Sequence, residues 1–458
     1  MDAAFKFMKK AFWLSCLCGA WVSLEAAPSY VDLRTVLKLA GARHDEVEWA
    51  RLQHAQALFE SHQAWQRYWP TLTLGAQYRG HEGRLQDIRG DVFDARKHQY
   101  SLGPAIVLDW APGDIHYAAL AARQRATAAE HWIEKTRLDL IRQAVERYFD
   151  LLAAEAGLTV IANDVAISKE YARQLENAVK VGTAFRADLL RVNTQLARLR
   201  LQVRQGEEDL QLAAARLAEV LRLPADADLR AAKIDLIPIR MIGDQQVGEL
   251  VARAQSTRPE VKAVEANRAA LASEETRTRL APFYPSLQAG YATAGFGGGI
   301  GDRSGNFGGQ QDFFVGLGWK VGPGGMFDFT RQRLAASRTE AAGLQASRAR
   351  AAVGREVVEA AVRSRSASEQ LAIADQAVSA GEEMTRLAGE RQASEVGVVL
   401  EYVMAREDLT RARLGRVRAV VDFNRAQYAL KMAVGISAVP DAAARTGVHL
   451  RSAAPGVR

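Results

Sequence analysis

The 458-residue sequence contains only two cysteines, Cys16 and Cys18, both within its first twenty residues. If that segment is removed, the remaining chain has no thiol. This excludes a disulfide framework, a thiolate metal site and a cysteine nucleophile. Long hydrophobic runs are also missing: beyond the N-terminus no stretch approaches the roughly 18 apolar residues of a membrane-spanning helix. Proline is absent between Pro112 and Pro224, and again between Pro323 and Pro440. An interior proline costs a helix about 3 kcal/mol or more, so these two intervals permit very long helices.

The N-terminus is a segment apart. "MDAAFKFMKK" is basic, "AFWLSCLCGAWVSL" is apolar, and "EAA" before Pro28 supplies small residues. That order is expected of an export signal, residues 1–27, cleaved near Ala26 or Ala27. The residues preceding the cysteines, "WLS" and "SCL", make a poor lipoprotein box, so no lipid anchor is expected. Removal of Lys6, Lys9, Lys10, Asp2 and Glu25 leaves 57 basic and 51 acidic residues, a net charge of +6. Acids and bases interleave along helical stretches as on a solvated helix face. Nucleic-acid binding would call for Lys and Arg gathered on one face among aromatics, and the pattern argues against it.

What is present is a plan written twice. "LKLAGARHDEVEWARLQHAQA" (Leu37 to Ala57) matches "LVARAQSTRPEVKAVEANRAA" (Leu250 to Ala270) in its apolar and charged positions. Trp69-Pro70 stands opposite Tyr284-Pro285, and "VKVGTAFRADLLRVNTQLARLR" opposite "SEVGVVLEYVMAREDLTRARLG", at an offset of about 215 residues. Such self-similarity at a long, constant offset indicates duplication of a whole domain plan. The expected divisions are a first repeat at 28–224, a linker at 225–245, a second repeat at 246–440 and a tail at 441–458. Each repeat should hold a helix, a β-hairpin (about 71–110 and 286–321) and long helices (about 114–223 and 326–436). The stretch from Asp114 to Lys180, rich in Ala, Leu, Arg and Glu, would be about 100 Å long as one helix. Helical character over such a length with few stop signals indicates a coiled coil or helical array.

The hairpins alternate with period two. Leu72, Leu74, Ala76 and Tyr78 share a face opposite Thr71, Thr73 and Gln77. Tyr100, Leu102, Ile106, Leu108 and Trp110 oppose Gln99, Ser101 and Asp109, and Phe313, Val315, Leu317 and Trp319 oppose Asp312, Gly316 and Lys320. About ten residues of such alternation is the pattern of a tilted outer-membrane strand, lipid on one side and lumen on the other. Trp69, Trp110, Tyr284 and Trp319 fall where strand meets helix, the place of an interfacial aromatic girdle. The charged stretch "GHEGRLQDIRGDVFDARK" and the glycine-rich "GFGGGIGDRSGNFGG" are expected to be extracellular loops. Four strands cannot close a barrel and hydrocarbon tolerates no open edge, so several chains would have to pool them. The rival reading is a soluble periplasmic coiled-coil scaffold with a small sandwich.

With these carriers in view, the sequence resembles the outer-membrane efflux protein family, the TolC-like proteins. They are the aromatic–Pro entries, Arg258-Pro259-Glu260, the turns "LDWAPGD" and "WKVGPGGMFD", and the segments centred on Gly182 and Gly397. The resemblance runs from about Val31 to Ser437. It implies a homotrimer with a twelve-stranded barrel, four strands per chain, continuous with a periplasmic barrel of coiled helices. It further implies a passive exit duct for drugs, metal ions or polypeptides, serving a tripartite efflux or type I secretion system. The partners would be a periplasmic adaptor and an inner-membrane pump; no cofactor and no catalytic residue are implied. By the same resemblance Gly182, Thr183, Gly397 and Val398 lie at the tips that meet the adaptor. The family often carries acids six and nine positions after the second tip glycine, where this chain has Val403 and Arg406. Asp188, Arg191, Glu401 and Arg406 are the candidates for the pore constriction. A ring of arginines there would favour anions; alternatively Arg406 pairs with Glu407, Asp408 or a neighbouring helix.

"VGPGGMF" (Val321 to Phe327) lacks the third glycine and the βαβ context of a nucleotide loop and is read as a turn. Seven of the eight histidines, His44, His54, His62, His81, His98, His116 and His131, are scattered and show no metal-ligand spacing. No nucleophile elbow is present.

Overall fold

The computed structural model describes residues 29–40, 44–224, 226–232, 236–243, 245–300, 306–394 and 399–436. The expected export signal, Gly397 and Val398, and the C-terminal tail lie outside the described residues.

The chain is mostly helical. After β1 (Ser29–Val31), α1 (Leu33–Ala40) and α2 (Asp45–Gln66) comes a hairpin of β2 (Thr71–Gln86) and β3 (Val92–Trp110). Then α3 (Pro112–Val181) and α4 (Arg186–Leu221) run out and back. The strand β4 (Leu229–Ala231), α5 (Val247–Thr257) and α6 (Pro259–Leu280) lead to a second hairpin, β5 (Ser286–Ile300) and β6 (Gly308–Gly318), followed by α7 (Phe329–Ala393) and α8 (Val399–Ala433). The 70 residues of α3 are continuous, about 105 Å at 1.5 Å per residue.

Local chemistry sets these ends. Pro112 opens α3, where its missing N–H costs nothing, and Asp114 in the first turn suits the helix dipole. Gly182 closes α3 in the left-handed conformation (φ 86°), which glycine adopts without a Cβ penalty. The Asp328 side chain caps α7 by accepting from the Arg331 N–H at 3.0 Å. "VGPGGMF" forms a tight turn, with Gly322 and Gly324 at positive φ and the Met326 N–H donating to the Lys320 carbonyl at 2.8 Å.

The hairpins form one antiparallel sheet in the order β2-β3-β5-β6. Register aligns the faces across all four strands: Leu72, Ile106, Tyr291 and Phe313 form one apolar row. The ladder between β3 and β5 is interrupted at Gly103-Pro104, since proline has no N–H to donate. The first hairpin corrects the expected extracellular loop: "GHEGRLQDIRGDVFDARK" is mostly strand, turning only at 87–91. Register places Glu82 opposite Arg96 and Arg84 opposite Asp94, so charged residues extend the ladder through cross-strand pairs. Asp87 closes the turn by accepting from the Arg89 and Asp91 N–H groups at 2.9 and 3.0 Å.

Beneath the sheet the helices pack side by side in the order α2, α3, α6, α7; further on, α3 packs on α4 and α8, and α8 on α7. Alanine dominates these seams, for example Ala119, Ala122, Ala126, Ala263, Ala266, Ala342 and Ala346, which allows close approach of backbones. The largest apolar cluster joins β1, α1, α3, α4, β4 and α8 around Tyr148, Phe149, Leu210, Leu217 and Tyr428. Beside it the segment 236–243 is laced to α8 by two buried amides. Asn424 Oδ1 accepts from the Ile239 N–H (2.8 Å) and its Nδ2 donates to the Ile237 carbonyl (2.9 Å). Gln427 accepts from the Met241 N–H (3.0 Å) and donates to Ser364 (2.8 Å).

Asn424 is fully buried, so Asn424→Ala strands two backbone groups, each at a cost of about 1–3 kcal/mol. The expected outcome is a lower thermal midpoint with earlier proteolytic cleavage in the 236–243 segment. Cleavage unchanged from wild type would show that the lacing does not hold this segment.

Candidate functional site: the sheet–helix junction and the helix tips

At the junction, Asp114 in the first turn of α3 receives two arginines from separate helices. Arg277 Nε of α6 donates to Oδ1 at 2.7 Å, and Arg67, just past α2, donates to Oδ2 at 3.0 Å. Glu274 holds Arg277 from the other side at 3.0 Å. Burial opposes ionisation of Asp114, yet Arg277 and Arg67 together hold its carboxyl below the usual value. Around this knot stand the four girdle candidates. Trp69, Tyr284 and Trp319 are exposed, and Trp110, the last residue of β3, is half-buried. Trp319 Nε1 donates to the Phe283 carbonyl at 3.3 Å. Gly113 lies against the Tyr284 ring so closely that a Cβ would fall 2.7 Å from it.

At the far end of α3, the Gly182 N–H donates to the Val179 carbonyl (3.1 Å) and the Thr183 N–H to the Ala178 carbonyl (2.9 Å). This closes a Schellman turn into α4. Val181 and Phe185 project exposed from it. Above the tips α3, α4 and α8 meet through Ala172, Leu175 and Val192, with Val399 and Val403 packed against them. Tyr171 accepts a hydrogen bond from Gln392 at 2.5 Å and packs at a tilt against Tyr402, ring centres 5.0 Å apart.

All four constriction candidates are engaged within the chain. Arg191 pairs with Asp188 at 3.3 Å and Glu401 with Arg391 at 2.6 Å. Arg406, on α8, forms an ion pair with Asp164 of α3, whose other oxygen accepts from Thr410. Of the alternatives open for Arg406, the geometry carries the one with a neighbouring helix. The side chains of Asp164 and Arg406 are 5% and 16% exposed. Burial pushes the Asp164 carboxyl above its ordinary value, against the opposing charges of Arg406 and Arg413. Position 403, the other place where the family often has an acid, holds a valine in the apolar seam. Sequence reasoning did not single out Asp164. Its signal was a lone carboxylate inside the apolar stretch "LTVIANDVAI".

Compared with known proteins, residues 36–221 match the family model described as Outer membrane efflux protein. No curated protein sequence matches the chain. Solved structures share its fold. A membrane protein from Pseudomonas aeruginosa superposes with a TM-score of 0.75 at 18% identity, covering 88% of this chain and 93% of its own. The outer membrane protein VceC from Vibrio cholerae gives 0.71 at 19% identity, covering 88% and 96%. The Campylobacter jejuni CmeC outer membrane channel gives 0.73 at 15% identity, covering 88% and 85%. The resemblance drawn from the sequence thus holds by sequence over residues 36–221 and by fold over most of the chain. The location expected, the outer membrane of a Gram-negative bacterium with a large periplasmic helical part, is that of the matched family and these channels.

Two outcomes are expected. Asp164→Asn leaves Arg406 buried without its counter-charge, a loss of about 3–5 kcal/mol. In thermal melts the double variant Asp164→Leu/Arg406→Leu should recover much of that loss, and additive losses would dissolve the pairing. For Asp114, the lowered native value means its stabilising contribution is present above the unfolded value of about 3.9 and is lost as pH falls through the native one. The difference in melting point between wild type and Asp114→Asn should therefore shrink below about pH 4; a pH-independent difference would refute the charge account.

Proposed function

We propose that this chain, whose residues 36–221 match the outer membrane efflux protein family, is the exit-duct subunit of a tripartite efflux or type I secretion system. Three copies would pool their strands into a twelve-stranded barrel continuous with a periplasmic helical tunnel. The observation that carries this reading is the pair of open edges. Among the described residues, β2 and β6 each pair on one side only, and the hydrocarbon interior offers no other partner for their backbone groups. The helices support it too. An 18-residue window of α3 has a mean hydropathy of 1.4 but is only 17% buried in the single chain, apolar surface that further copies would cover.

The strands match a bilayer in height. Ten residues separate Trp110 from Tyr100 on the apolar face; at about 3.4 Å per residue and a tilt near 40° they rise about 26 Å, close to the apolar band of such barrels. In this reading Trp69, Trp110, Tyr284 and Trp319 are the periplasmic girdle. Gly182, Thr183, Gly397 and Val398 mark the tips that meet a periplasmic adaptor, which joins the duct to an inner-membrane pump. Asp188, Arg191 and Glu401 edge the entrance, and Arg406, held by Asp164, serves as a clamp between α3 and α8 in place of a free charge on the lumen. A passive duct needs no active site, and the pump would choose among drugs, metal ions and polypeptides.

The protein should fractionate with outer membranes and give discrete conductance steps in planar bilayers. Release in a periplasmic shock extract, without channel activity, would favour the soluble scaffold instead.

A further inference from the structure

Near the helix junction the polar face of the sheet carries mostly small side chains. Register lines up Thr71, Val107, Gly290 and Phe314 in one row, and Thr73, Ala105, Ala292 and Asp312 in the next. Phe314, like Phe296 nearer the hairpin tips, is a large aromatic ring on the face that carries Thr71, Gln77, Asp109, Gln288 and Asp312. Its ring lies flat across β5. A Cβ built on Gly290 would fall 2.3 Å from Phe314 Cε1, 2.7 Å from Cζ and 3.1 Å from Cδ1. On β6 itself the neighbours on that face, Gly316 and Gly318, have nothing within 4 Å of a Cβ. The ring thus rests on Gly290, with open space beside it on β6, and is 53% exposed. Glycine in a strand interior gives up packing and entropy, and it commonly marks close approach of another group.

We propose that Gly290 sets the bore of the barrel by letting Phe314 lie down against the wall. Gly290 is a positioning residue and Phe314 the residue that limits what passes. With a side chain at 290 the ring loses its seat on β5 and must take another rotamer, which lifts it off the wall on the lumen side, once per subunit. Flat, the ring leaves an apolar band on an otherwise polar wall without closing the passage; raised, it obstructs bulky cargo. This rests on the channel reading above, which places the polar face toward the lumen.

Cys16 and Cys18 both precede the expected cleavage site, so a cysteine introduced in the mature chain is unique. Ala292→Cys puts a thiol on the polar face one row from Gly290. The measurement is the rate at which water-soluble maleimides of increasing size modify this thiol in the reconstituted outer-membrane protein. Adding Gly290→Val should slow the bulky reagents several-fold while leaving the smallest unaffected, and adding Phe314→Ala on top should restore the rate. Gly290→Ala, a milder change, should act in the same direction if the valine variant assembles poorly. The proposal is overturned if neither substitution slows the bulky reagents, or if the slowing persists without the Phe314 ring. A thiol that reacts only with lipid-soluble maleimides would overturn the face assignment. Failure of the channel reading itself appears earlier and separately, as loss of outer-membrane fractionation.

Discussion

Inside a bilayer there is no water to satisfy a peptide group, and every strand N–H and C=O must find a partner in protein. A sheet ordered β2-β3-β5-β6 gives its two central strands a neighbour on either side and, among the described residues, leaves β2 and β6 each paired on one side. The openness continues below the sheet, where α2 and α7 are the outer members of the row α2, α3, α6, α7. One chain of the proposed assembly is a segment of wall, with β2 and α2 at one margin and β6 and α7 at the other. In the proposed assembly the long helices and their alanine seams follow from this constraint. A wall that closes only through its copies must be straight-sided, closely packed and uninterrupted.

The most buried polar chemistry gathers where elements of different kind or direction are fixed to one another. Asp114 gathers Arg67 and Arg277 where helices give way to strands. Asn424 and Gln427 hold an extended segment on a helix that has no spare backbone donors of its own. Asp164, Arg406 and Thr410 join α3 to α8. Along the seams between these knots, alanine-rich apolar contact is joined by more exposed ion pairs such as Arg125–Glu274 and Arg350–Glu265. Buried polar groups are costly when left unmatched, so a few fully matched ones specify which helix faces which.

Much of the architecture was legible in the chain. The proline-free intervals gave the helices, with Pro112 and Gly182 marking the ends of α3. Period-two alternation gave the strands with their correct faces. Charged alternation between Gly80 and Lys97 does not look like strand until Glu82 is set against Arg96 and Arg84 against Asp94, because pairing partners are a property of two segments. For the same reason the constriction candidates could be named from spacing after a glycine, but their engagements could not.

The sequence by itself determined the kinds of element, their order and the two faces of each strand, since these depend on spacing within about ten residues. It also leaves the chain beyond Cys18 without a thiol. Only the tertiary structure decided that Arg406 spends its charge on Asp164, 242 residues away, and that Phe314 lies on Gly290. Both are contacts across elements, where what matters is which side chain a neighbouring backbone brings near, and no local periodicity encodes that distance.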